Sequence, residues 1–112
     1  MTTSAILEPL IRRKLFIDEP SAIRELTREY VLRHIEVLAE QIREFEQRYG
    51  MNFERFVEYL HERSLLLVSD RLDAEQRRTL GQAVMGEEDD WLEWKAAQEM
   101  LDSWLGLDNE AR

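Results

Sequence analysis

The 112-residue sequence contains no cysteine. That excludes a disulfide framework, thiolate zinc sites and a cysteine nucleophile. Only two prolines and four glycines interrupt the chain. No glycine-rich phosphate loop can be assembled from the scattered glycines, and no His-Glu-x-x-His pattern is present. The longest unbroken apolar run is Leu65 to Val68. It falls far short of the roughly 20 residues that span a bilayer, so no membrane segment is expected. No basic stretch leads into an apolar one at the N-terminus, and the chain reads as cytoplasmic. There is no internal repeat and no low-complexity tract.

What is present is a helix-former's composition rich in Leu, Glu, Arg and Ala, with a net charge of −9. The length suits one continuous domain with a modest core. The acid is unevenly spread. Residues 1–48 hold eight basic and nine acidic side chains, whereas 49–112 hold seven against fifteen. This sign argues against sequence-independent binding to nucleic acid, which depends on neutralising phosphates. It leaves two readings of the second half: a solvated surface, or a face complementary to a basic partner.

Apolar spacing predicts an all-α fold of about five helices: a helical hairpin built on one long central helix, in an intertwined or coiled-coil-like homodimer. The first helix spans about Ser4 to Phe16, with Pro9 awkward in its interior. Asp18 and Pro20 signal the start of the long helix, Glu19 to Tyr49. Within it Val31, Ile35, Leu38, Ile42, Phe45 and Tyr49 recur every 3.5 residues on average, the period of a seam that faces a partner helix. These six are the expected dimer interface. Ile23, Leu26, Tyr30 and Val37 form an offset cluster on a neighbouring face. One helix cannot cover both faces alone, so other helices or a second copy must.

Gly50 is expected to stop the long helix and Asn52 to cap a third, Phe53 to about Leu66, carrying Phe53, Phe56, Val57 and Leu60. The short connection implies a hairpin or a sharp corner. Asp73 would cap a fourth helix ending at Gly86. A fifth would run from Trp91 to about Leu105, ahead of a frayed tail from Asp108 to Arg112. The division is thus a dimerisation region, residues 1–50, followed by an acidic partner-binding region, residues 51–112.

No catalytic constellation emerges, and neither a metal nor another cofactor is implied. His34 lies beside the seam and His61 beside Glu58 and Glu62; both read as structural or surface histidines. The acidic run from Glu87 to Asp90 lacks the spacing and glycine of a calcium loop. The tryptophans stand out. Trp91, Trp94 and Trp104 fall in the most acidic stretch, and tryptophan is a favoured anchor in partner pockets. With Asp89, Asp90 and Glu93 they are the candidate partner-binding residues. Core packing is the alternative for one or two of them.

Three stretches carry a resemblance: Leu7 to Phe16, Ile17 to Leu26 with Tyr30-Val31-Leu32, and Arg48-Tyr49-Gly50-Met51-Asn52-Phe53-Glu54-Arg55-Phe56. With the closing Asp89-Asp90-Trp91-Leu92-Glu93-Trp94, they resemble ribbon-helix-helix antitoxins and the related small helical antitoxins of prokaryotic toxin–antitoxin systems. The resemblance implies a homodimeric first half that binds operator DNA. It also implies a second half that wraps and blocks a basic toxin, a ribonuclease by type. The family reads DNA with a short strand ahead of the first helix. Here Met1 to Ile6 offers only Thr2, Thr3 and Ser4 as polar side chains. Arg12, Arg13, Lys14, Arg24 and Arg28 are the candidate DNA-binding residues under the alternative reading, a transcriptional regulator. A scaffold or assembly factor of a larger complex is a further alternative.

Overall fold

The computed structural model describes residues 3–111, with side chains from 5 to 110. These residues form four helices: α1 (Thr3–Arg12), α2 (Glu19–Tyr49), α3 (Phe53–Leu67) and α4 (Ala74–Ala111). No strand occurs among them. Thr2, and the side chains of Thr3 and Ser4, lie outside what is described. No helix among the described residues is long and apolar enough to cross a membrane.

α2 begins where Asp18 turns extended and its Oδ1 accepts the Ser21 backbone N–H at 2.8 Å. That bond holds the Asp18 carboxyl below its usual range. α2 ends at Gly50, whose φ of 65° no side chain adopts comfortably. Asn52 then caps α3 through the Arg55 N–H at 2.8 Å. α4 opens with a reciprocal box, in which Asp73 accepts from Gln76 N–H at 2.7 Å and Gln76 accepts from Asp73 N–H at 3.1 Å.

The packing departs from the expected hairpin of α2 and α3. α2 runs antiparallel to α4, since Arg48 meets Asp90 while His34 meets Trp104. α3 is also antiparallel to α4: Phe56 meets Trp94 and Arg63 meets Glu87. So α2 and α3 follow one another along α4 in the same direction, and the true hairpin is α3 with α4. The apolar positions on either side of Gly50, Phe45 and Tyr49 before it and Phe53 and Phe56 after it, face one common surface. A single long helix covers both. At 1.5 Å per residue α2 and α3 laid end to end reach roughly 70 Å, and the molecule measures 73 × 25 × 21 Å. Its radius of gyration is 22.5 Å, against about 13 Å for a compact chain of this length.

Gly86 does not stop a helix. The expected fourth and fifth helices are one, α4, which continues through Gly86 and on to Ala111. Gly86 keeps helical backbone, and among the described residues positive φ occurs only at Lys14 and Gly50. Leu80, Val84, Trp91 and Trp94 keep helical spacing across it, so the packing partners on both sides demand one continuous rod. The expected frayed tail is helical as far as Ala111, and Asp108 within it is buried. α1 ends earlier than expected, at Arg12, although Pro9 lies inside it. Its stop is a Schellman turn: Leu15 N–H reaches Leu10 O and Lys14 N–H reaches Ile11 O, both at 2.9 Å. Lys14 occupies the left-handed position, φ 61°.

The core lies where α2, α3 and α4 meet. Leu38, Ile42, Phe45, Phe56, Leu60, Trp94 and Ala97 form its buried centre. α1 packs on the first third of α2, where Leu7 and Ala22 are buried.

Candidate protein-interaction surface

The six seam residues share the face of α2 turned to α4. Val31, Leu38, Ile42 and Phe45 are buried within the single chain, and Ile35 and Tyr49 are half-buried. This corrects the expected dimer interface: the seam's partner helix is α4 of the same molecule. The offset cluster of Ile23, Leu26, Tyr30 and Val37 is the face left open.

The three tryptophans have different fates. Trp94 is fully enclosed, with ring centroids 5.5 Å from Phe45 and Phe53 and 5.1 Å from Phe56. It is a core residue, not an exposed anchor. Trp104 is half-buried and stacks on His34 at 4.7 Å. Trp91 is half-buried and lines a groove of about 290 Å³ between α3 and α4. Val57, Leu60, His61, Ser64, Glu88 and Leu92 line it with Trp91, and of these Leu60 is the one buried side chain. Val57 and Leu92 remain 40% and 57% exposed, so the groove is an apolar slot open along its length. Lys95 sits over the Trp91 ring, its Nζ 5.2 Å from the centroid.

Two polar clamps hold α4 in register with its neighbours, one on α3 and one on α2. Arg63 grips Glu87 with two nitrogens, Nη2 at 2.9 Å and Nε at 3.1 Å, and its guanidinium lies over the Tyr59 ring at 4.9 Å. The Glu87 and Arg63 side chains are only 12% and 26% exposed, which makes this pair a structural tie. At the other end Asp90 accepts from Arg48 at 3.0 Å and from the Tyr49 hydroxyl. Burial, followed by that hydrogen bond, pushes the Tyr49 phenol above its ordinary value. Asp90 is therefore engaged inside the chain and drops out of the partner-binding set. Asp89 and Glu93 stay exposed.

From Thr79 to Ala111, α4 carries nine acidic side chains and one cation, Lys95. Glu87 and Asp90 are paired to other helices; Glu88, Asp89, Glu93 and Glu99 project into solvent beside Leu92. Among the described residues no cluster of histidines and acids is arranged to hold a metal ion.

The candidate DNA-binding residues sit at the opposite end. Arg12, Arg13 and Lys14 close α1, and all five cations are exposed with no ion pair among the described residues. Arg24 and Arg28 line a second groove, about 450 Å³, with Val31, Leu107 and Asp108. Glu25 lines it too, so its charge is mixed.

Sequence reasoning singled out Trp91 but not the groove around it. Val57 is read from the sequence as part of the apolar stripe of α3, and His61 as a structural or surface histidine. The available signal was the width of the α3 stripe: Phe53, Phe56, Val57 and Leu60 span more of the helix than one neighbour covers. No family model, no curated protein and no solved structure matches the chain.

Proposed function

We propose that this chain is a non-enzymatic protein-binding module of the antitoxin kind, which blocks a basic toxin-like protein by occluding it. The observation that carries this reading is the open apolar groove lined by Trp91 on a helix with a strong excess of acid. A groove between two antiparallel helices accepts the apolar face of a third, with anchors at i, i+3 and i+4. Glu88 borders the slot, and with the exposed Asp89 and Glu93 elsewhere on α4 it supplies charge that draws and orients a basic partner, raising its association rate. Trp91 supplies a large rigid contact at low entropic cost. The ribonuclease class of toxin follows from the family resemblance alone.

Affinity capture from the native cell with three baits tests this: wild type, Trp91→Ala and Glu88→Lys. The expected result is a small basic protein retained by the wild type and lost from both variants. That protein, expressed alone, arrests growth, and co-expression of the wild type but not of Trp91→Ala relieves the arrest. A captured set unchanged by either substitution, or a partner of acidic character, refutes the reading.

A further inference from the structure

The turn between α1 and α2 joins two unlike groups of side chains. Arg12, Arg13 and Lys14 follow one another where α1 ends, and all three are exposed. Leu15, Phe16 and Ile17 come next. The first helix was expected to reach Phe16, but the chain leaves it at Arg12, and Leu15 is 63% and Ile17 91% exposed. Ile17 is the most exposed large apolar side chain among the described residues. Lys14, Leu15 and Ile17 line one groove with the half-buried Phe16 and with Glu25, so charge and apolar surface adjoin. Lys14 holds the left-handed position of the turn, where glycine would sit at lower cost.

This turn is one end of the rod. Arg48 meets Asp90 and His34 meets Trp104, so a step along α2 is matched by a step back along α4, and Ala111 comes level with residue 27. α2 starts earlier, at Glu19, roughly 12 Å beyond the last turn of α4. That distance exceeds the Debye length of about 8 Å at physiological salt, so the acid of α4 is largely screened from the turn. The nearest acids in sequence are Asp18 and Glu19, and the Asp18 carboxylate is engaged with the Ser21 N–H.

We infer that this turn docks the rod end-on to an anionic lipid surface, with the three cations against the headgroups and Leu15 and Ile17 entering the layer beneath. Each Lys or Arg near such a surface strengthens binding about fivefold, and each apolar side chain withdrawn from water adds about tenfold. Duplex DNA would engage the cations alone, leaving Leu15 and Ile17 exposed for nothing; that difference favours lipid. The contact lies on the bilayer and needs no helix to cross it. In the same register Trp91 is level with residue 47 of α2, roughly 40 Å along the rod from Glu19. The Trp91 groove therefore stays free, and the inference does not rest on the proposed partner.

Vesicle flotation at about 1 mM accessible lipid tests this, a concentration suited to a hold as weak as that of a single acyl chain, roughly 10⁴ M⁻¹. The full chain should float at low salt with phosphatidylcholine vesicles containing about 30% phosphatidylserine. It should stay behind with phosphatidylcholine alone, and be released from the anionic vesicles as salt rises to about 0.5 M. Arg12→Gln combined with Arg13→Gln should weaken binding about 25-fold, and Ile17→Ser about tenfold. Helical circular dichroism should not change, because all three positions are exposed. Since the chain lacks cysteine, Ile17→Cys carrying an environment-sensitive dye should shift to the blue on anionic vesicles. Asp70→Cys, exposed in the turn between α3 and α4 at the far end of the rod, should not. Failure to float on anionic vesicles, equal flotation on neutral ones, flotation indifferent to Ile17→Ser, or equal dye shifts at positions 17 and 70 overturns the inference. So does tighter binding to a short DNA duplex that is lost in the arginine variant and kept in Ile17→Ser.

Discussion

Replacing Trp94 by alanine empties the point at which three helices meet. Its indole touches Phe45 and Tyr49 on α2 and Phe53 and Phe56 on α3, with centroid separations of 5.1 to 6.3 Å, and none of it reaches solvent. Deleting a buried aromatic side chain costs about 3–5 kcal/mol in transfer and cavity terms. A chain of this length has a total stability of roughly 6–17 kcal/mol, so the loss is a large share of it. Trp94→Phe should be much milder. The indole Nε1 is buried with no acceptor among the described residues. Removing that unsatisfied donor returns about 1–3 kcal/mol, which offsets most of the smaller void. In urea unfolding followed at 222 nm, with a slope of about 1.5–2 kcal/mol/M, Trp94→Ala should lower the midpoint by about 2 M and Trp94→Phe by well under 1 M. A shift below about 0.5 M for the alanine variant at unchanged slope would refute Trp94 as the keystone of the helix junction. A phenylalanine variant as damaged as alanine would refute the account of its nitrogen.

Three further outcomes follow from the structure. The folded state holds the Tyr49 proton more firmly than the unfolded chain, whose phenol has the ordinary value of 10.0. That stabilisation is complete below pH 10 and is lost as the pH rises toward the folded-state value; Tyr49→Phe should flatten the fall measured by urea unfolding between pH 9 and 11. Gly86→Ala should raise the thermal midpoint, because an added Cβ there meets nothing within 4 Å and alanine is preferred in a helix by about 1 kcal/mol, while Gly50→Ala should lower stability by about 1–2 kcal/mol through its left-handed backbone. Arg63→Met should cost about 1–3 kcal/mol by stranding the Glu87 carboxylate, whereas Arg63→Met with Glu87→Met should cost far less in the same unfolding assay; equal losses would mean that the clamp acts by packing alone.

Most of the local structure was legible in the sequence because it rests on short-range chemistry. Asp18, Gly50, Asn52 and Asp73 each end or begin a helix through a bond within a few residues, and α2 has the bounds that its pattern predicts. The failures share one physical cause: distant packing outweighed a local preference. Gly86 is a poor helix residue, but its cost of about 1 kcal/mol is small beside the contacts of Trp91, Trp94 and the Glu87 clamp just beyond it. Lys14 takes a conformation that favours glycine, so nothing in the residue type announced the end of α1. The seam from Val31 to Tyr49 was read with the right face and the wrong occupant. Periodicity reports that a helix has a neighbour, not which chain supplies it. For the candidate site, Trp91 and the exposed acids were visible, whereas the groove required knowing that α3 lies on α4.

The two open surfaces follow from one geometric fact. A rod 25 × 21 Å in section is two helices thick, so each helix has one neighbour along most of its length and buries one stripe. Apolar residues beyond that stripe end up on the flanks, and the flanks differ. The α3–α4 flank carries the exposed acid of Glu88 beside the Trp91 groove. The Tyr30 flank carries Ile23, Leu26, Tyr30 and Val37, each about half exposed. If the two flanks are separate surfaces, Tyr30→Asp should leave the affinity of the Trp91 groove for its partner unchanged in solution binding, whereas Trp91→Ala should abolish it. A loss of affinity in Tyr30→Asp would show that the two faces form one composite site, and the division along the rod would fall.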